Sequence, residues 1–128
     1  MRILLDTHAL LWWLSDDPAL GPRARDQIGD IDNDIIVSAA SMWEIAIKRR
    51  LGKIEADVVE IETEIAKQGM IRLGIEAAHL LELIKLPDHH RDPFDRMLVA
   101  QARTEDAGLM TVDPQIARYS VDRIAADR

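Results

Sequence analysis

The sequence predicts an α/β protein of three layers, α/β/α, built on a central parallel sheet of four to five strands. Three observations predict it. Short apolar runs bounded by polar or glycine breaks recur along the chain, the pattern of strands covered on both faces. Stretches with helical spacing of apolar residues lie between them, and that alternation builds parallel sheets flanked by helices. The 128 residues, 48% hydrophobic and 30% charged, are enough for one domain with a real core and argue against disorder.

Arg2–Leu5 is the first strand and runs directly into Asp6. Thr7–Leu14 follows as a short, almost wholly apolar helix. Its run Leu10, Leu11, Trp12, Trp13, Leu14 encircles the helix, so part of that surface is expected to meet a partner protein. Gly21–Ile28 is a mixed-charge helix, and Asp34–Ser38 is the second strand. Ala40–Leu51 is a helix stopped by Gly52, and Asp57–Gln68 another stopped by Gly69, with Val58, Ile61 and Ile65 on one face. These two consecutive helices break the strict alternation.

Met70–Leu73 is the third strand. Glu76–Ile84 is a helix with Ala77, Leu80, Leu81 and Ile84 at helical spacing. Pro93–Asp106 stops before Gly108, and Leu109–Val112 makes the fourth strand, with Val121–Ile124 a candidate fifth. No repeat, low-complexity tract or Gly/Pro/Ser linker interrupts the series, so residues 1–128 are expected to form a single domain.

Bulk properties narrow the function. No apolar stretch approaches the ~18 residues that span a membrane, and the N-terminus reaches Asp6 too soon for a signal-peptide core. The absence of cysteine excludes disulfides and thiolate metal sites and fits a reducing cytoplasm. The net charge of −7 is unusual for a nucleic-acid binder, whose phosphate contacts call for basic residues. Either nucleic acid is not the substrate, or the negative charge is concentrated where metal neutralises it.

Four acids stand where packing alone does not put them. Asp6 and Asp113 each close an apolar strand, and in open parallel sheets ligands collect at the carboxyl ends of strands. Each also has a local explanation, Asp6 as a helix N-cap and Asp113 in an Asp-Pro turn. Glu44 could simply pair with Lys48 one turn on. Yet Met42, Trp43, Ile45 and Ile47 surround it, which directs it over the sheet edge. In Asp92-Pro93-Phe94-Asp95, Asp92 is explained as an N-cap ahead of a first-turn proline and stays outside the site. Asp95 heads the stripe Asp95, Leu98, Val99, Ala102, and an acid there needs compensation from backbone N–H groups, a cation, or both. Convergent carboxylates raise each other's pKa, and a hard divalent cation with oxygen ligands removes that penalty.

Other residues carry weaker signals. His89 and His90 fall in a polar loop and are expected to be solvated, His8 to pack or cap near the first strand, and His79 to lie on a helix surface. No His-x-x-x-His pair supports zinc, and no glycine-rich phosphate loop is present. Lys48, Arg49, Arg50 and Lys53 complement a helix C-terminus and could also hold a charged polymer.

Three segments in order resemble PIN-domain ribonucleases, and most of all the VapC-type toxins of toxin–antitoxin pairs: Asp-Thr-His-Ala-Leu-Leu-Trp-Trp-Leu from Asp6, Ser-Ala-Ala-Ser-Met-Trp-Glu-Ile-Ala-Ile-Lys from Ser38, and His-Arg-Asp-Pro-Phe-Asp-Arg-Met-Leu-Val-Ala-Gln-Ala from His90 with Leu-Met-Thr-Val-Asp after it. The resemblance runs from Arg2 to about Asp113. It implies a PIN-like fold and places the family's acids on Asp6, Glu44, Asp95 and Asp113, with Thr111 at its hydroxyl position. It further implies Mg²⁺ or Mn²⁺ as cofactor, endonucleolytic cleavage of RNA, a homodimer, and inhibition by an antitoxin packed near the acids. Asp6, Asp95 and Asp113 are the expected direct ligands, with Glu44 at a second ion or orienting water. Two alternatives stand beside this: a non-catalytic interaction module whose acids are only caps, and a phosphatase with Asp6 as nucleophile. The latter usually needs a second acid two residues on, where His8 stands.

Overall fold

The computed structural model describes Met1–Arg128. Five parallel strands, β1 (Arg2–Leu5), β2 (Asp34–Ser38), β3 (Ile71–Leu73), β4 (Gly108–Thr111) and β5 (Arg123–Ala125), stand in the order β3-β2-β1-β4-β5. Six helices accompany them: α1 (Thr7–Leu14), α2 (Pro22–Gly29), α3 (Ala39–Arg50), α4 (Val58–Lys67), α5 (Ala77–Lys85) and α6 (Pro93–Thr104). A short 3-10 turn, Pro114–Arg118, follows β4.

The two-residue period of the strands sorts the core into two layers. Ile3, Leu5, Ile35, Val37 and Met110 pack with residues of α1, α2 and α4 on one face. Leu4, Ile36 and Leu109 pack with Met97–Ala100 and Ala102 of α6 on the other. Side chains of successive strand residues point to opposite faces, so both must be apolar when helices cover both. Full burial of one such leucine contributes ~1.5–3 kcal/mol.

Two features of the winding position a site. From β1 the chain winds outward through β2 to β3, then crosses back to lay β4 against β1's other side. The strand order therefore reverses between β1 and β4, and the crevice at such a reversal is where open α/β sheets bind ligands. Helix α3 lies over that carboxyl edge, since its Ala40 joins one core layer and its Ile45 the other, and it touches α1, α4 and α6.

The predicted elements are all present, with boundaries unchanged or shifted by at most two residues. Three findings differ in kind. Strand β3 is a largely exposed edge rather than a strand covered on both faces. The segment after Asp113 forms the unforeseen 3-10 turn. In α5 the apolar stripe faces outward: Leu80, Leu81 and Ile84 are exposed, whereas His79 is fully buried.

That last reversal has a polar cause. His79 Nδ1 accepts from the Glu76 backbone N–H at 2.9 Å, closing a reciprocal cap at the start of α5. Its Nε2 meets Glu105 Oε2 at 3.1 Å. A buried imidazole with both nitrogens engaged is an anchor, and the leucines are left on the opposite side.

Candidate metal centre

Asp6 is placed by the end of β1. Its backbone N–H continues the ladder to Met110 O at 3.0 Å, and its carboxylate caps α1 through the Ala9 N–H at 2.8 Å. The N-cap role and an inward position coexist, since the residue is only 5% exposed. Burial raises its pKa, and the neighbouring charge of Glu44 adds to that. Hydrogen bonds from Thr111 and Ala9 and the charge of His8 oppose it.

Glu44 comes from the middle of α3 and is buried. Thr7 Oγ1 donates to its Oε1 at 2.6 Å and Lys48 Nζ to its Oε2 at 2.5 Å. The expected Lys48 pair therefore forms, with Glu44 buried and Lys48 half-buried above it. The crowding expected of Trp43 does not occur: Trp43 is 59% exposed and packs edge-on against Phe94 with centroids 5.2 Å apart. Hydrogen bonding to Glu44 raises the pKa of Lys48, the charges of Glu44, Asp92 and Asp95 reinforce this, and burial opposes it. Lys48 is thus a fixed cation at the acids' flank.

Asp95 and Asp113 come from α6 and from the turn beyond β4. Asp92 caps α6 by accepting from the N–H groups of Phe94 and Asp95. Burial pushes Asp95 up to about 7, helped by the negative charges of Asp92, Asp6 and Glu44 and opposed by His90. Asp113 lies two residues beyond the end of β4 rather than closing the strand. It caps the 3-10 turn through the Gln115 N–H at 2.9 Å, and its own N–H donates to Thr111 Oγ1 at 3.1 Å. Burial pushes its pKa up, but the Gln115 N–H, His90 and Arg123 outweigh that and leave it lowered.

His90 is the residue that sequence reasoning misplaced. Its side chain is 15% exposed, and its Nε2 lies 2.6 Å from Asp113 Oδ2 and 3.2 Å from Asp95 Oδ2. The cause is local: the Asp92 backbone N–H donates to His90 Nδ1 at 3.0 Å, folding the loop ahead of α6 back over the acids. A histidine two residues before a helix cap was the available signal. His8, by contrast, is exposed and lies against Trp12, with ring centroids 6.0 Å apart.

The structure thus gathers two overlapping groups. His90, Asp95 and Asp113 each offer one ligand atom, all within 4.8 Å of one another. Asp6 and Glu44 stand outside that trio but are close enough to raise the pKa of Asp95. Carboxylates from β1's end, α3, α6 and the turn after β4 meet at one sheet edge, with Lys48 at their flank. A divalent ion that prefers oxygen fits this donor set, which holds no thiolate and has more negative charge than local cations offset.

Comparison with known proteins extends the description. The PIN domain family profile matches residues 3–122. Ribonuclease VapC16 of Mycobacterium tuberculosis (strain ATCC 25618 / H37Rv) is 37% identical over 60 residues, 44% of this chain and 43% of that protein. The chain thus aligns with less than half of that relative's length. VapBC2 from Rickettsia felis, solved bound to a promoter DNA fragment, has a similar fold, with TM-score 0.71, 14% identity and coverage of 97% of this chain and 98% of that one. VapBC-1 from nontypeable Haemophilus influenzae superposes over 100% of both chains with TM-score 0.70 and 14% identity.

Proposed function

The chain belongs to the PIN domain family, and on that premise we propose that it is a metal-dependent endoribonuclease, the toxin of a type II toxin–antitoxin pair. The observation that carries this reading is the meeting of Asp6, Glu44, Asp95 and Asp113 at the β1/β4 switch point, with Asp95 pushed up to about 7. The cofactor is proposed to be Mg²⁺ or Mn²⁺, held by Asp6, Asp95 and Asp113 with Glu44 adjoining. The ion, when bound, supplies a more acidic water and stabilises negative charge on the departing oxygen.

The chain's own side chains do the rest. Asp6 and Asp113 are each held by a backbone N–H of the helix or turn they cap, so their carboxylates are fixed before substrate arrives. Glu44, tied at both oxygens by Thr7 and Lys48, is placed to orient the attacking water. Lys48, paired with Glu44, is a cation at the acids' flank for the RNA phosphate. Concentration of acids at one edge also answers the net-charge objection, because metal neutralises charge where the phosphodiester must approach.

Exposed apolar residues support the proposed protein partners. Trp43 and Ile47 of α3, with Leu51 just past its end, are exposed on the helix that carries Glu44 and suit an antitoxin segment. Leu80, Leu81 and Ile84 on α5 suit a second copy of the chain. The α1 run expected to face a partner is mostly committed inward: Leu10 is fully buried and Leu11–Leu14 pack against the core. A groove of about 250 Å³, lined by Leu11, Leu14, Ala56 and Ile61 among others, stays open there.

The test is incubation of purified protein with total RNA, with Mn²⁺ or with a chelator, followed by mapping of the cut ends. Metal-dependent cleavage that disappears in Asp6→Asn is expected. Full activity in Asp6→Asn, or cleavage indifferent to the chelator, contradicts the assignment.

A further inference from the structure

His90 meets two of the acids, and the hydrogen at its other nitrogen decides what it can do there. The Asp92 backbone amide can only donate, and it points at His90 Nδ1 at 3.0 Å. Nδ1 therefore carries a lone pair, and in the neutral ring the proton sits on Nε2. That Nε2–H faces Asp113 Oδ2 at 2.6 Å and Asp95 Oδ2 at 3.2 Å. A metal-ligating histidine is wired the opposite way, with its second nitrogen donating to a carbonyl or carboxylate. Ligation through Nε2 here would require the proton to move to Nδ1, against the Asp92 N–H. His90 thus falls within ligand distance of the acids while being built as a donor to them.

We propose that His90 is a positioning residue that draws Asp95 and Asp113 together for the cation without ligating it. This deepens the nuclease reading and rests on it. The two carboxylates arrive on separate elements, α6 and the turn after β4, and their charges push them apart. One N–H shared between them opposes that separation. The remaining carboxylate oxygens are left to the metal: Asp95 Oδ1 accepts no hydrogen bond within the chain, and Asp113 Oδ1 accepts only from Gln115.

The experiment compares the full chain with His90→Ala and His90→Gln. Mn²⁺ binding is read by calorimetry, and RNA cleavage is followed across Mn²⁺ concentrations. His90→Ala should weaken Mn²⁺ binding by roughly 10- to 100-fold. His90→Gln, which keeps an N–H at similar reach, should recover most of that loss. The KM for RNA should stay unchanged, and kcat should return as Mn²⁺ is raised.

Unchanged or tighter Mn²⁺ binding in His90→Ala overturns the proposal, as does a Gln variant no better than Ala. If His90→Ala does not fold, His90→Gln alone decides through its preference between Zn²⁺ and Mn²⁺. A positioning residue leaves that ratio as in wild type, and loss of Zn²⁺ preference reveals an imidazole ligand and overturns the proposal. A wild-type chain that neither binds Mn²⁺ nor cuts RNA defeats the nuclease reading itself. A competent wild type with indifferent variants defeats only the role of His90.

Discussion

Asp95 heads the inward stripe of α6, where burial and the charges of Asp92, Asp6 and Glu44 push its pKa up from the ordinary carboxylate range to about 7. Between about pH 4 and about pH 7 the folded, metal-free chain holds a proton that the unfolded chain has lost. Stability contributed through this group is therefore greatest at the acid end, falls as pH rises through that window, and levels above it. Melting curves in chelator should show a lower Tm at about pH 8 than at about pH 5, and Asp95→Asn should flatten that slope. An unchanged slope in Asp95→Asn would show that other groups set it. Metal reverses the penalty, so added Mn²⁺ should raise the Tm most at the alkaline end. Asp6 obeys the same logic: Asp6→Asn should abolish cleavage while melting no lower than wild type without metal, because it removes a buried charge with raised pKa. Marked loss of metal-free stability would make Asp6 a structural cap first. Asp6 stood out in the sequence because it closes an apolar strand, and Asp95 because it heads a buried stripe. His90 did not, because its place depends on one backbone hydrogen bond from Asp92.

Among the elements, α5 and α6 show what patterning can and cannot tell. The start of α6 was legible: Asp92 caps it, Pro93 occupies its first turn, and Met97–Ala102 are all buried. Asp92→Ala should cost about 1 kcal/mol in chemical denaturation through loss of the cap. It should also lower the pKa of Asp95, whose second-largest cause of elevation is Asp92. An undiminished denaturation midpoint would deny the cap its role. In α5 the apolar periodicity was real but pointed the wrong way. Periodicity finds a stripe without saying whether the stripe meets this chain's core or another chain, and the buried His79–Glu105 contact settles the direction. Joint replacement Leu81→Glu and Ile84→Glu should therefore leave the monomer folded and abolish self-association in analytical ultracentrifugation. A variant that still dimerises moves the interface elsewhere, and one that unfolds shows that these two side chains belong to the core.

At the scale of the whole molecule, the fold was readable because each strand and helix carried its own local signature. The order β3-β2-β1-β4-β5 was not, since nothing in an apolar tetrapeptide names its neighbour in the sheet. That order creates the crevice between β1 and β4, and with it the meeting of Asp6 and Glu44 with Asp95 and Asp113. The edge position of β3 was hidden for the same reason. If these carboxylates form one site for a divalent ion, calorimetric titration of Mn²⁺ into wild type, Asp6→Asn and Asp95→Asn will register it. Wild type should bind Mn²⁺, with proton release below about pH 7, and both variants should bind it far more weakly. Equal affinity in all three proteins, or no binding to wild type, would contradict that single site.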